Sequence, residues 1–370
     1  MIGKVQCMTE SIRLMITTGL AIWASLVGGG SWAEIKRTAE GRPDLSGTYD
    51  VSTLTPLQRA KEFGTSLELT PEQAQEIMDT ERRQMAEAGR NRGPVKEAPP
   101  EGGAPPVGSD ESQREALGAG NVGGYNFFWV ERGSEVSLVD GKFRTSILID
   151  PPNGRLPAPT AAGMQRFAER AKLFRPNDGT AWWLGIDGPG PYDGPESLGI
   201  SERCLVGFTG AAPTFPSLYN NYKRIVQGKD HIMILIEMVH DARIVRMNAQ
   251  HRPAALRTRM GDSVGRWDGD TLVVDTTNFM AASGQGRGSS ENLRVEERFT
   301  PQENGDVLYR FTVEDPTVWS ASWTGEYMWR STGEKVYEYA CHEGNYSMGG
   351  ILRGARLLES EAQSAAVGSQ

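Results

Sequence analysis

A chain of 370 residues with 38% hydrophobic and 23% charged residues can bury a substantial core, so a disordered polyelectrolyte is excluded. The formal charge of -8 argues against nucleic acid or an anionic membrane surface as partner, since both would repel it. The size suits one large domain with an accessory segment.

At the N-terminus, Lys4 and Arg13 precede the apolar stretch LMITTGLAIWASLVGGG, which leads into Ser31-Trp32-Ala33. Small residues at the two positions a signal peptidase inspects predict a signal peptide over residues 1–33. The mature chain then begins at Glu34, is exported to the periplasm or the extracellular medium, and carries a charge of about -9 once Lys4, Glu10 and Arg13 are gone. No segment of the mature chain is apolar enough to predict a membrane span. Cys7 leaves with the signal, and in an oxidising compartment the two survivors, Cys204 and Cys341, are expected to form a disulfide.

Residues 34–120 read as a helix-containing segment followed by a linker. Thr70-Pro71-Glu72-Gln73 supplies an N-cap, a first-turn proline and a capping-box glutamine, predicting a helix to Gly89 with a thin apolar stripe of Ala74, Ile77, Met78 and Met85. The Pro/Gly/Glu-rich stretch that follows reads as linker. A second short helix is expected from Ala161 to Phe174. The loop-rich run after it contains Trp182-Trp183, either a lid over a binding site or a structural plug.

Residues 121–360 read as a β-domain and 361–370 as a disordered tail. Turn signals punctuate β-forming runs at Asp140-Gly141, Gly228-Lys229-Asp230, Asp268-Gly269, Asn304-Gly305 and Thr332-Gly333-Glu334. Short connections imply antiparallel neighbours. The expected fold is therefore mainly β, an up-and-down antiparallel meander closing into a lipocalin-like barrel, or else a two-layer β-sandwich, with one or two accessory helices and long loops.

Alternation within strands singles out ionisable residues. Glu297 shares a face with Leu293, Val295 and Phe299, and Glu237 shares one with Met233 and Leu235. A buried carboxyl is a plausible general acid or base, while the structural reading pairs each glutamate with an arginine such as Arg144 or Arg310. Glu237, His240, Glu297 and His342 form the candidate catalytic set, with Asn126, Trp129, Arg144, Tyr219 and Asn220 as candidate ligand contacts. Neither a metal nor a cofactor is expected: no two histidines have ligand spacing, and the glycines of ASGQGRGSS precede no helix. Gly261-Asp262-Ser263-Val264-Gly265 matches G-x-S-x-G, with Asp275 or Asp315 and then His342 in hydrolase order. It leads into a hairpin, whereas a nucleophile elbow needs a following helix, so Ser263 is not expected to act as a nucleophile.

The strings GRPDLSG (41–47), SERCL (201–205), GDSVGRWDGDTLVVDTTNF (261–279) and YACHEGNY (339–346) resemble those of a large group of uncharacterised exported bacterial proteins. That resemblance implies export and a shared fold, and brings no catalytic residues. Ser46-Gly47-Thr48-Tyr49 is similar to the G-x-W opening of lipocalin-type barrels, with Tyr in place of Trp. The functional expectation is an exported enzyme acting by Glu/His acid–base chemistry, as lyase, isomerase or hydrolase, on a small apolar or aromatic molecule. The alternatives are a non-catalytic small-ligand-binding barrel and a structural envelope module.

Overall fold

The computed structural model describes residues 35–90, 130–172, 175, 178–207, 209–280 and 290–368. Residues 1–33, read as a signal peptide, most of the stretch read as linker, and the candidates Asn126 and Trp129 lie outside these residues. Nine strands close into a barrel: β1 (Gly47–Asp50), β6 (Tyr222–Gln227), β7 (His231–Ile236), β8 (Ala242–Met247), β9 (Asp262–Asp268), β10 (Thr271–Thr277), β11 (Arg294–Pro301), β12 (Val307–Glu314) and β13 (Trp323–Thr332). The pairing of β1 with β13 completes the ring, and β5 (Leu148–Asp150) adds to β13 outside it. A small second sheet joins β2 (Glu68–Leu69), β3 (Leu138–Val139) and β4 (Lys142–Arg144). The Asp-Gly and Asn-Gly hairpins form where the sequence places them, with Gly269 and Gly305 at φ of 59° and 88°.

The meander is interrupted once. β8 and β9 run parallel, Val245 opposite Ser263, so residues 248–261 must cross back along the barrel instead of turning tightly. Asp262 fastens the crossover: its carboxylate accepts Arg246 Nη2 at 2.9 Å and the Arg252 amide at 2.9 Å, and lies 3.0 Å from His251 Nδ1. Burial opposes the Asp262 charge, yet these donors hold its carboxyl below the usual range.

The barrel interior is filled. Phe299, Tyr309, Phe311, Tyr327 and Trp329 are all wholly buried in one core with Ile225, Ile232, Ile234 and Val274. A loop supplies the rest. Ala211 and Ala212 belong to this core, the Thr214 amide donates to Tyr309 Oη at 2.9 Å, and Tyr327 Oη donates to the Thr214 carbonyl at 2.9 Å. Phe215 of the same segment packs edge-on to Phe311. The lumen that the inward charges suggested is thus occupied by side chains and by a chain segment.

Helix α1 (Pro71–Arg90) begins with the expected capping box: Thr70 N–H donates to Gln73 Oε1 at 2.9 Å and Gln73 N–H to Thr70 Oγ1 at 3.2 Å. Helix α2 (Ala161–Lys172) is the second expected helix. Two C-terminal features depart from the sequence reading. VYEYACHE, which follows the Thr332-Gly333-Glu334 turn signal as a β-forming run, is not a strand; it forms a strap that is irregular over residues 336–340 and turns from Cys341. Helix α3 (Tyr346–Gly368) then continues through most of the stretch read as tail. Trp183 serves this helix, being buried with its Nε1 donating to Glu359 Oε1 at 2.7 Å. Cys204 and Cys341 form the expected disulfide, with Cα atoms 5.8 Å apart. Among the described residues no helix is long and apolar enough to cross a membrane.

Candidate functional site

The least compensated charge in the barrel is Lys223. On β6 it alternates with the exposed Arg224 and shares the inward face with Ile225, opposite Tyr49 of β1 and Ile236 of β7. It is wholly buried, and its Nζ makes one long hydrogen bond, 3.4 Å, to the Asn220 carbonyl. An ammonium has three donors and is expensive to desolvate. Burial accordingly pushes the Lys223 amine down to about 8, against the pull of Glu237, Asp241 and Asp50.

Carboxyls act on it, though among the described residues none lies within ion-pair distance. Glu237, just past the end of β7, is 5% exposed; it accepts the Tyr222 amide at 3.2 Å, and Tyr337 N–H and the Asn220 side chain also bond to it. Its carboxyl is raised, mainly by burial. Asp241 opens β8 and accepts the Gly207 amide at 2.7 Å; burial lifts it to about 6. Burial likewise lifts the Tyr222 phenol, 3.4 Å from Glu131 Oε1, to about 12. The backbone between the two acids is forced: Val239 and His240 have φ of 60° and 53°, and Asn220 beside Lys223 has 55°. A β-branched residue at positive φ is a true outlier, of the kind that collects at functional sites. The strap packs against this turn, with Tyr339 N–H donating to His240 Nε2 at 2.8 Å.

The four residues expected to be catalytic do not converge. Glu297 faces inward as expected, but Arg243 binds it through two bonds, 2.6 and 2.9 Å, and Tyr309 Oη donates to it at 2.7 Å. Its partner is neither Arg144 nor Arg310; both of those bind Glu326 outside the barrel wall, at 2.9 and 2.6 Å. Glu237 is not on the β7 strand at all: β7 ends at Ile236, with Ile232, Ile234 and Ile236 buried, and Glu237 begins the turn that follows in helical conformation. His240 and His342 are exposed, one held by the strap and the other beside the disulfide. Of the expected ligand contacts, Asn220 reaches the Lys223 cluster, Tyr219 packs against the main core and Arg144 is the wall ion pair.

Lys223, Asp241 and Arg243 escaped the sequence reading, though alternation could have found two of them. In YKRIVQ Lys223 is in phase with Ile225, and in ARIVRM Arg243 is in phase with Val245. Ser263 is buried with its hydroxyl 2.8 Å from Thr276 Oγ1, inside the β9–β10 hairpin and away from any histidine partner among the described residues. The described residues hold no group of three or more His, Cys, Asp or Glu able to bind a metal. Comparisons with family models, curated proteins and solved structures give no match. The arrangement itself offers one amine and two carboxyls that act on it, each displaced toward neutrality, a combination suited to moving protons.

Proposed function

We propose that the protein is an exported enzyme that processes a small apolar or aromatic molecule by proton transfer, with Lys223 as base and Glu237 and Asp241 as the carboxylates that balance its charge once it has taken up the proton. The observation that carries this reading is the wholly buried amine with its single 3.4 Å hydrogen bond. A purely structural lysine at this position would be better replaced by an apolar residue, since an uncompensated charge only destabilises the fold. Lowering the amine from 10.5 to about 8 raises its free-base fraction at neutral pH about 300-fold, as a base that removes a proton beside a carbonyl requires. Isomerisation or elimination is the class such a set serves best.

Hydrogen–deuterium exchange at the α-carbon of a panel of aryl ketones and β-hydroxy acids, followed by proton NMR in D2O, tests it. The wild-type protein should exchange at least one member, faster as pH rises through about 8, and Lys223→Met should lower that rate by about 100-fold or more. Exchange that is absent for every member, or unchanged in Lys223→Met, overturns the proposal. A second reading, binding without turnover, is favoured by an open groove that α1 and residues 53–56 line.

A further inference from the structure

One face of α1 and the segment 53–56 line an open groove of about 600 Å3. Gln73, Glu76, Ile77, Thr80, Glu81 and Gln84 recur at helical spacing and form one wall. Both walls are fixed without a ligand. The capping box sets the start of α1, and Leu69, Ala74, Met78 and Val136 form a small core beneath it. On the other side the Leu54 amide donates to the Glu135 carbonyl at 2.8 Å, and the Ser137 amide to Thr55 Oγ1 at 2.8 Å. Arg132 closes one end by gripping the buried Glu81, its Nε 2.7 Å from Oε1.

The lining specifies a ligand chemistry. Arg132 is neutralised by Glu81, which leaves no net cation for an anionic ligand. Gln73 has committed its Oε1 to the cap, so its amide nitrogen is left to donate, while Glu76 can only accept and Gln84 can do both. Phe63, Leu54 and Ile77 add apolar surface between these groups. Donors and acceptors mixed on planar side chains, beside an aromatic ring, complement hydroxyl groups on an apolar ring face. We propose that this groove binds a neutral polyhydroxylated molecule, an oligosaccharide of two or three rings, independently of the chemistry at Lys223.

Calorimetric titration and saturation-transfer NMR with cellotriose, maltotriose and chitotriose test the proposal on the full mature chain. At least one should bind saturably at millimolar concentration or below. Glu76→Ala/Gln84→Ala, both exposed positions, should weaken it by about tenfold or more with an unchanged unfolding midpoint, and Lys223→Met should bind as wild type does. Failure of all three sugars to bind, or binding that the double variant leaves unchanged, overturns the proposal. Neither result bears on proton transfer at the barrel end.

Discussion

Removing the charge of Glu297 should unfold the barrel more readily, and the reason is Arg243. The arginine side chain is 2% exposed and its Nε has no hydrogen-bond partner, so nearly all its compensation comes from the two bonds to the Glu297 carboxylate. Burial works against the Arg243 charge, and Glu297 reverses that and holds it above its ordinary value. Glu297→Gln keeps the shape and one acceptor but strands the guanidinium in an aromatic core. Breaking one side of a buried pair costs about 3–5 kcal/mol, which for a domain of this size lowers the midpoint of thermal unfolding by on the order of 10 °C. Urea unfolding followed by tryptophan fluorescence, with the disulfide intact, should show that loss at constant m. Arg243→Met/Glu297→Leu should recover most of it, because an apolar pair of similar volume often replaces a buried ion pair without penalty. Tyr309 remains tied to the Thr214 amide in either variant. A loss below about 1 kcal/mol in the single variant would refute the argument and return Glu297 to the candidate site.

Ser263 should not be labelled by a fluorophosphonate probe, since its buried hydroxyl is shared with Thr276; stoichiometric labelling would contradict both the hairpin assignment and the reading of the motif. Lys223 should make stability depend on pH with a defined sign. Its folded value of about 8 lies below the ordinary 10.5, so the unfolded chain binds the proton more tightly, and the cost is fully present below pH 8 and is relieved as pH rises toward 10.5. Lys223→Met should therefore be more stable than wild type near neutrality, by on the order of 3 kcal/mol, with the difference shrinking above pH 8; a difference that does not change with pH would show that the amine is not desolvated in solution.

Local chemistry was legible in the sequence. The capping box of α1, the Asp-Gly and Asn-Gly hairpins and the inward phase of Glu297 each depend on residues close in the chain, and each appears as read. What depended on distant contacts was not legible. Nothing local in DARIVRMNAQH announces that β8 pairs parallel with β9, because that pairing is settled by Asp262 closing on Arg246 and His251 across the crossover. The loop around Ala211–Thr214 reads as surface from its small residues, yet it enters the barrel and meets the hydroxyls of Tyr309 and Tyr327. VYEYACHE alternates like a strand, but β1 already occupies the edge of β13, so its backbone finds Glu237 and His240 instead.

Two inward charges, alike in sequence, separate once their neighbours are known. Glu297 and Lys223 both sit in phase with buried apolar residues of a barrel strand, and alternation alone assigns them the same standing. Three donors saturate Glu297: two nitrogens of Arg243 and the hydroxyl of Tyr309. A group whose bonds are all made within the protein has none left for a substrate. Lys223 has one long bond and faces two acids across a turn held at positive φ. Its unspent donors and the forced backbone both raise the energy of the folded chain, and neither is needed to close a nine-strand ring. That asymmetry, rather than burial or charge, is why function is sought at Lys223 and stability at Glu297.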